Sequence, residues 1–378
     1  MSRHRLLAIA RKEAIQIWRD PRSLLIALLM PIMQMALIGY GVSLDIKHVP
    51  LCVFDREGSQ RSQDLLKRFQ ASEYFEVVRT VNAYPLLTAA IDAGRCTVGL
   101  VVPPDFSERL RDAGSTSVQA VADGTDDNSA NVAIGYVQSV VGGYANDVQI
   151  EWLQRRGLAQ QLTSPLTVEP RVWFNEDLQS RAFIIPAVVA LVMALIGALL
   201  SSLTIAREWE RGTMEQLLST PIRPLEIMLG KLLPYFVIGL FDAGLCVSIG
   251  VWWFEVPFRG TLSTLLLTTA LFLVVVLGVG YILSVVTRNQ LGASQLALLV
   301  TLLPTTLLGG FAFPIDQMPA PIRAITYLVF ARYYVTILKA IFLKGAGVRT
   351  LAMPILALAA YAAIIGTLAT RAFRKTLD

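Results

Sequence analysis

The chain has 378 residues, 54% hydrophobic and 16% charged, with a mean hydropathy of +0.56. A soluble domain carries about 25% charged residues, so this composition excludes an ordinary soluble globule and points to a membrane protein. The net charge of +5 suits an anionic lipid surface, and nucleic acid is set aside as a partner because the bases flank apolar runs and form no stripe of their own.

Residues 1–22 are predicted to form a cytoplasmic amphipathic helix lying in the membrane interface. Leu7, Ala10, Ala14, Ile17 and Trp18 share one face at helical spacing, while Arg5, Lys12 and Arg19 recur every seven residues on another. The simpler alternative is a basic tail that only sets topology. The uncharged run after Arg22 gives a first span over 23–43. It follows a polar start and lacks a small-x-small cleavage site, so it is expected to remain as a signal anchor. Residues 44–181 then alternate strands (48–55, 74–81, 96–104, 117–124) with helices (62–72, 83–94, 105–114 and from 126 to about 156). That alternation predicts a small α/β domain. It shows no catalytic constellation: the chain has two histidines, His4 and His48, and no HExxH. Asp123, Asp126 and Asp127 read as turn and cap residues rather than a cation site, and no metal site is expected. Cys52 and Cys96 both fall on predicted strands. A disulfide is one reading, and two buried small hydrophobes is the favoured one.

Further uncharged runs predict spans over 182–205, 224–254 with a cytoplasmic lead-in, 260–286, 291–312 and 351–370, followed by a cytoplasmic tail, 371–378. The fold class is thus an α-helical integral membrane protein with six transmembrane helices and an inserted α/β extracytoplasmic domain. With both termini inside, the short inner segments hold fourteen bases and the short outer ones six, which favours that orientation. In the second span Ala190, Ala194, Ala198, Ser202 and Ala206 place a small residue at every fourth position. This packing face would meet another span or a second copy of the chain. Cys246 reads as packing. Asp242 is the one carboxylate deep in a span, a candidate pathway residue that would line a polar route, relay protons or pair with Gln34 or Gln295. Residues 313–350 would bury Arg323, Arg332 and Lys339 as a clean span. Two short re-entrant or interfacial helices on the outer side are expected instead, with Arg332, Tyr333 and Tyr334 at headgroup level.

The densest charge lies between spans two and three, in AREWERGTMEQLLSTPIRPLEIMLGK (206–231), with four acids and four bases. Residues 203–218 can extend span two as a helix in which Arg211 and Glu215 pair at i, i+4 beside an apolar patch of Met214, Leu217 and Leu218. Pro221 stops it and Pro224 starts the next helix. Apolar anchors among charges suit docking on a protein.

With LIGYGVSLD, VVPPDFSERL, DGTDDNSAN, WFNEDLQSRAFIIPA and FPIDQMPAPIRAITYLVFARYY then FLKG, this segment makes the chain resemble the permease subunit of a type-2 ABC exporter. The matching class has six spans and a large domain between the first two. The resemblance implies that 206–223 is the coupling segment on an ATPase subunit, with Glu208, Glu210, Arg211, Thr213, Glu215, Gln216 and Leu217 in the contact. It implies two permease halves, a copy or a homologous chain, each with one ATPase. An inner-membrane location and efflux of a drug-like or amphiphilic substrate follow from the same likeness, and an adaptor protein outside the membrane is a further partner it allows. The chain itself is expected to be no enzyme and to hold no cofactor. Gly230-Lys231 is followed by Leu232, so GxxxxGK[ST] fails, and ATP with Mg would sit in the partner. Two rival readings are a proton-coupled secondary transporter using Asp242 and a membrane sensor or scaffold whose outer domain binds a ligand.

Overall fold

The computed structural model describes residues 3–41, 47–111, 116–155, 180–220, 222–311 and 313–372. The chain folds as two compact units, one of residues 1–43 with 171–378 and the other of 44–170.

In the membrane unit, α1 (Arg3–Trp18) is followed by α2 (Pro21–Gly41), α7 (Ser180–Glu210), α8 (Met214–Ser219) and α9 (Pro224–Ser248), the last extended by a π turn, Ile249–Trp253. Then come α10 (Leu262–Thr287), α11 (Gln290–Leu308), α12 (Ala320–Thr326), α13 (Phe330–Lys339) and α14 (Ala352–Ala372). Five helices, α7, α9, α10, α11 and α14, are long and apolar enough to cross a membrane. The sixth expected span falls on α2, whose apolar stretch, Ala27–Gly41, is shorter than those five.

The central post is α7, which touches α2, α9, α10, α11 and α13. Its small-residue stripe decides this. Ala190, Ala194, Ala198, Ser202 and Ala206 are all buried within the chain, so the stripe faces sister spans and not a second copy. Opposite it, α10 approaches so closely that a Cβ on Gly280 would lie 2.0 Å from Ser201 Oγ and 2.5 Å from the Ala198 carbonyl oxygen. Ser284 of α10 then accepts the backbone N–H groups of Ile205 and Ala206, each at 2.9 Å.

Residues 320–344 form a helix pair bent by 87°, the geometry of a re-entrant segment or broken span. Tyr334 departs from its expected headgroup position. It is fully buried, stacked on Phe272 with its hydroxyl 2.8 Å from Thr269 Oγ1. Arg332 and Tyr333 are half-buried. The α13 face carrying Tyr334 also carries Ile337, Leu338 and Ile341, and packing against the bundle wins over the polar tip of one ring. The first helix departs too. Its buried face is Ile9, Ala10, Glu13 and Ile17, while Leu7 and Trp18 stay exposed, along with Ala14, Arg5, Lys12 and Arg19. A second apolar face thus remains for lipid.

In the outer unit, β1 (Val49–Asp55), β2 (Phe75–Thr80), β3 (Val98–Val102) and β4 (Gln119–Ala122) form a sheet ordered β2-β1-β3-β4, with only β4 antiparallel. Strand alternation feeds two cores. Leu51, Val53, Leu100 and Val102 share a core with α3 (Gln60–Ala71), α5 (Phe106–Arg111) and α6 (Asp127–Arg155), and Cys52 and Val101 meet α4 (Tyr84–Asp92) on the opposite face. Cys52 and Cys96 form a disulfide with Cα atoms 5.7 Å apart, correcting the expectation of two buried hydrophobes. Asp123 and Asp126 accept hydrogen bonds from Thr125 and Ser129, as turn and cap residues do.

Two outcomes check this fold. Gly280→Val should cost about 1–3 kcal/mol in thermal unfolding of the solubilised chain. Adding Ser201→Gly should recover only part of it, because the Ala198 carbonyl cannot move aside. Maleimide should label one thiol, Cys246, in the denatured unreduced chain and three after reduction.

Candidate functional site

The end of α7 leaves the bundle and must turn back toward α9. Gly212 makes the turn with φ +67°, a left-handed conformation that glycine adopts without strain, and its N–H bonds the Trp209 carbonyl at 3.1 Å. The helix expected over 203–218 is therefore two helices, α7 and α8. The break lies between Arg211 and Glu215, and these two form no ion pair among the described residues.

Beneath this elbow lies a buried ionic network. Lys231 of α9 donates to Glu13 Oε2 of α1 at 2.9 Å and to Glu208 Oε1 of α7 at 3.0 Å. Lys12 reaches the same Glu208 oxygen at 3.0 Å, and the Thr213 hydroxyl donates to Oε2. Tyr235 donates to the other Glu13 oxygen at 3.1 Å. Glu13 and Lys231 are 1% exposed and Glu208 is 4% exposed. The two carboxylates and two ammonium groups balance, as burial of charge requires. Three segments distant in sequence are thereby tied together. Ile9 supports the joint by resting against Gly230, where a Cβ would fall 2.8 Å from Ile9 Cβ.

Among the residues assigned to the coupling contact, the structure separates two groups. Glu208 and Thr213 face inward and hold the elbow from below. Glu210 is exposed but accepts the Gln290 N–H at 2.7 Å, placing a negative charge at the N-terminus of α11. Arg211, Glu215 and Gln216 are exposed on the elbow, and the Leu217 and Leu218 side chains lie outside the described residues. Met214, expected as an outward anchor, is 1% exposed and packs with Ile205, Ile227 and Tyr281. It fastens the elbow to its own protein. Glu13, Lys231 and Tyr235 had no assigned role from sequence, although Glu13 is the sole acid of α1 and sits between Ile9 and Ile17 at i±4.

Asp242, midway along α9, is 1% exposed, and neither carboxylate oxygen has a hydrogen-bond partner among the described residues. The expected pairing with Gln34 or Gln295 is not made. Gln34 Oε1 is itself buried without a partner, and Gln295 is exposed. Asp242 borders a cavity of about 10 Å³, walled by Met193, Leu200, Gly239, Leu273 and Leu277, with room for about one water.

In the outer unit, the strand order reverses between β1 and β3, the place where open α/β sheets form a crevice. Glu57 fills it, accepting the Ser107 N–H at 2.8 Å, the Ser107 hydroxyl at 2.7 Å and the Ser59 hydroxyl. Burial acts to raise this carboxyl, but the hydrogen bonds from Ser59 and Ser107 outweigh it and hold it below the usual carboxylate range. The closure therefore contributes stability above that range and loses it as pH falls.

Residues 22–371 match the family described as ABC-2 family transporter protein, nearly the whole chain and both units just described. The chain belongs to the ABC-2 transporter family. It is 40% identical over 347 residues to the probable multidrug ABC transporter permease YbhS of Escherichia coli K12, covering 91% of this chain and 90% of that one. It is 28% identical over 372 residues to YbhR of the same organism, a second probable multidrug ABC transporter permease, covering 98% and 99%. The ABC transporter permease protein NatB of Bacillus subtilis is 26% identical over 243 residues, 61% of this chain and 60% of that one. An ABC-2 permease is a transport subunit of the membrane that works with an ATPase and a paired permease.

Lys231→Met should therefore cost about 3–5 kcal/mol in thermal unfolding, because it leaves the buried Glu13 without an ionic partner and Glu208 with Lys12 alone. The triple change Glu13→Gln, Glu208→Gln, Lys231→Met should regain most of that loss. A cost below about 1 kcal/mol for the single change would show that the network does not hold α1.

Proposed function

We propose that this chain is the membrane-spanning permease subunit of an ATP-driven exporter and couples hydrolysis in a separate ATPase subunit to efflux of a drug-like or amphiphilic substrate. The observation that carries the reading is the elbow: Arg211, Glu215 and Gln216 face outward on a turn locked from beneath to α1 and α9. A rigid charged knob transmits a push from a docked protein, and a loose loop would absorb it. ATP and Mg belong to the partner, because this chain lacks the phosphate loop. The two Escherichia coli relatives are named as probable multidrug permeases, which supports a drug-like cargo.

In this reading both termini and the elbow lie in the cytoplasm and the α/β unit beyond the inner membrane. The base count of the short loops supports this, as does the disulfide, since disulfides persist in oxidising compartments. A second copy or a sister permease completes the pathway, and an adaptor meets the outer unit. Transport follows if the two nucleotide states of the ATPase bind two arrangements of the elbow unequally. Asp242 is the pathway residue of this scheme. Its lack of a partner also favours a second reading, proton-coupled transport. The sensor reading has less support, because Glu57 already occupies the crevice where a ligand would bind.

Arg211→Glu and Glu215→Arg should each lower recovery of the ATPase subunit with the purified permease by about tenfold, without lowering the permease's unfolding temperature. Export by the whole complex should stop when the ATPase is made hydrolysis-dead, with the proton gradient intact. Export that continues in the hydrolysis-dead complex but stops in Asp242→Asn would replace this reading with the proton-coupled one.

A further inference from the structure

A groove of about 440 Å³ runs between one face of α1 and the end of α7. From α1 and the residue just after it come Lys12, Gln16 and Arg19, at i, i+4 and i+7, and from α7 and the residue just after it come Arg207 and Arg211, four apart. Four bases thus face a single acid, Asp20. Lys12 is matched by Glu208 at 3.0 Å, and Arg207 by Asp20 at 3.5 Å. Arg19 and Arg211 are exposed and have no ionic partner among the described residues. Two guanidinium groups on opposite walls repel one another unless an anion lies between them, and their planar forks suit phosphate oxygens.

Where the groove opens says which anion. Pro21, the first residue of span α2, lines it, and so does Ile15, 45% exposed. Trp18 lies beside it at 79% exposure, and Leu25 and Leu28 continue outward along α2. Bases, a tryptophan and an apolar track meeting at the start of a span describe the bilayer surface. An acidic protein segment would have to displace lipid from Trp18 and Ile15 to enter.

We propose that this groove binds the phosphate of an anionic phospholipid, held between Arg19 and Arg211 with the acyl chains along Ile15 and α2. The excess of bases selects a lipid with net negative charge, because the amine of a zwitterionic headgroup would meet the same cations. Arg211 is shared with the proposed ATPase contact, whereas Arg19 is not, so Arg19→Gln separates the two roles. Binding here makes one lipid headgroup part of the joint between α1 and the elbow.

The test uses the full chain in neutral detergent, with phosphatidylglycerol, phosphatidylcholine or inorganic phosphate added, and reads thermal unfolding. Phosphatidylglycerol should raise the midpoint by about 5 °C. Phosphatidylcholine and inorganic phosphate should leave it within about 1 °C, and the rise should shrink at high salt. Arg19→Gln with Arg211→Gln should abolish the rise, while Arg323→Gln with Arg349→Gln, an equal charge loss elsewhere, should keep it. If the first pair does not fold, Arg19→Gln alone should remove at least half. Three results would overturn the proposal: an equal rise with inorganic phosphate, which makes the groove a free-phosphate site; a phosphatidylglycerol response that survives the groove changes; or no lipid response while Arg19→Gln releases the ATPase subunit, which gives the groove to a protein.

Discussion

Lys231 cannot be buried alone. An ammonium taken out of water costs several kcal/mol, and the loss is offset only when fixed negative partners surround it. Here those partners come from two other segments, Glu13 on the first helix and Glu208 on the seventh. The requirement to neutralise one side chain therefore fixes three elements against each other. An apolar contact of the same area would permit sliding, whereas a charge buried between two carboxylates permits little, because any displacement leaves a charge bare. That stiffness extends to the exposed elbow, where Arg211 and Glu215 stand above the buried joint with no soft layer beneath them.

From this joint α7 runs inward as the most enclosed of the long apolar helices. Its small residues let α10 approach to backbone contact near Gly280, and Ser284 bonds its main chain directly. Helices packed this closely move together or part entirely, because their interdigitated surfaces allow few intermediate positions. At the far end α13 of the bent pair packs on the same post, with Tyr334 sealed against Phe272 of α10. Asp242 lies among these helices with only a water-sized space beside it, so any polar route past it must be created by motion.

The outer unit is built on other terms. Its inner strands β1 and β3 bury both faces, a disulfide joins Cys52 on β1 to Cys96 just before β3, and Glu57 closes the crevice at its switch point. Each feature removes freedom from a small domain whose core alone has modest reserve.

Much of this was legible in the chain. Long uncharged runs force helices in lipid, where no other solution satisfies the backbone, so the spans followed from composition. The four strands and four helices of the outer unit followed from periodicity, within a few residues at each end. The small-residue stripe, the Asp242 anomaly and the charged segment 206–231 stood out by local pattern. What the sequence could not determine is which charges meet. Glu13 lies 218 residues from Lys231, and pairing at that range depends on how helices pack, about which periodicity is silent. For the same reason Glu208 and Met214 looked like outward contacts and proved to be internal fastenings. The break at Gly212, the face of α1 that turns inward and the burial of Tyr334 were likewise settled by neighbours. Local pattern says that a residue will be buried or charged, and only the tertiary structure says against what.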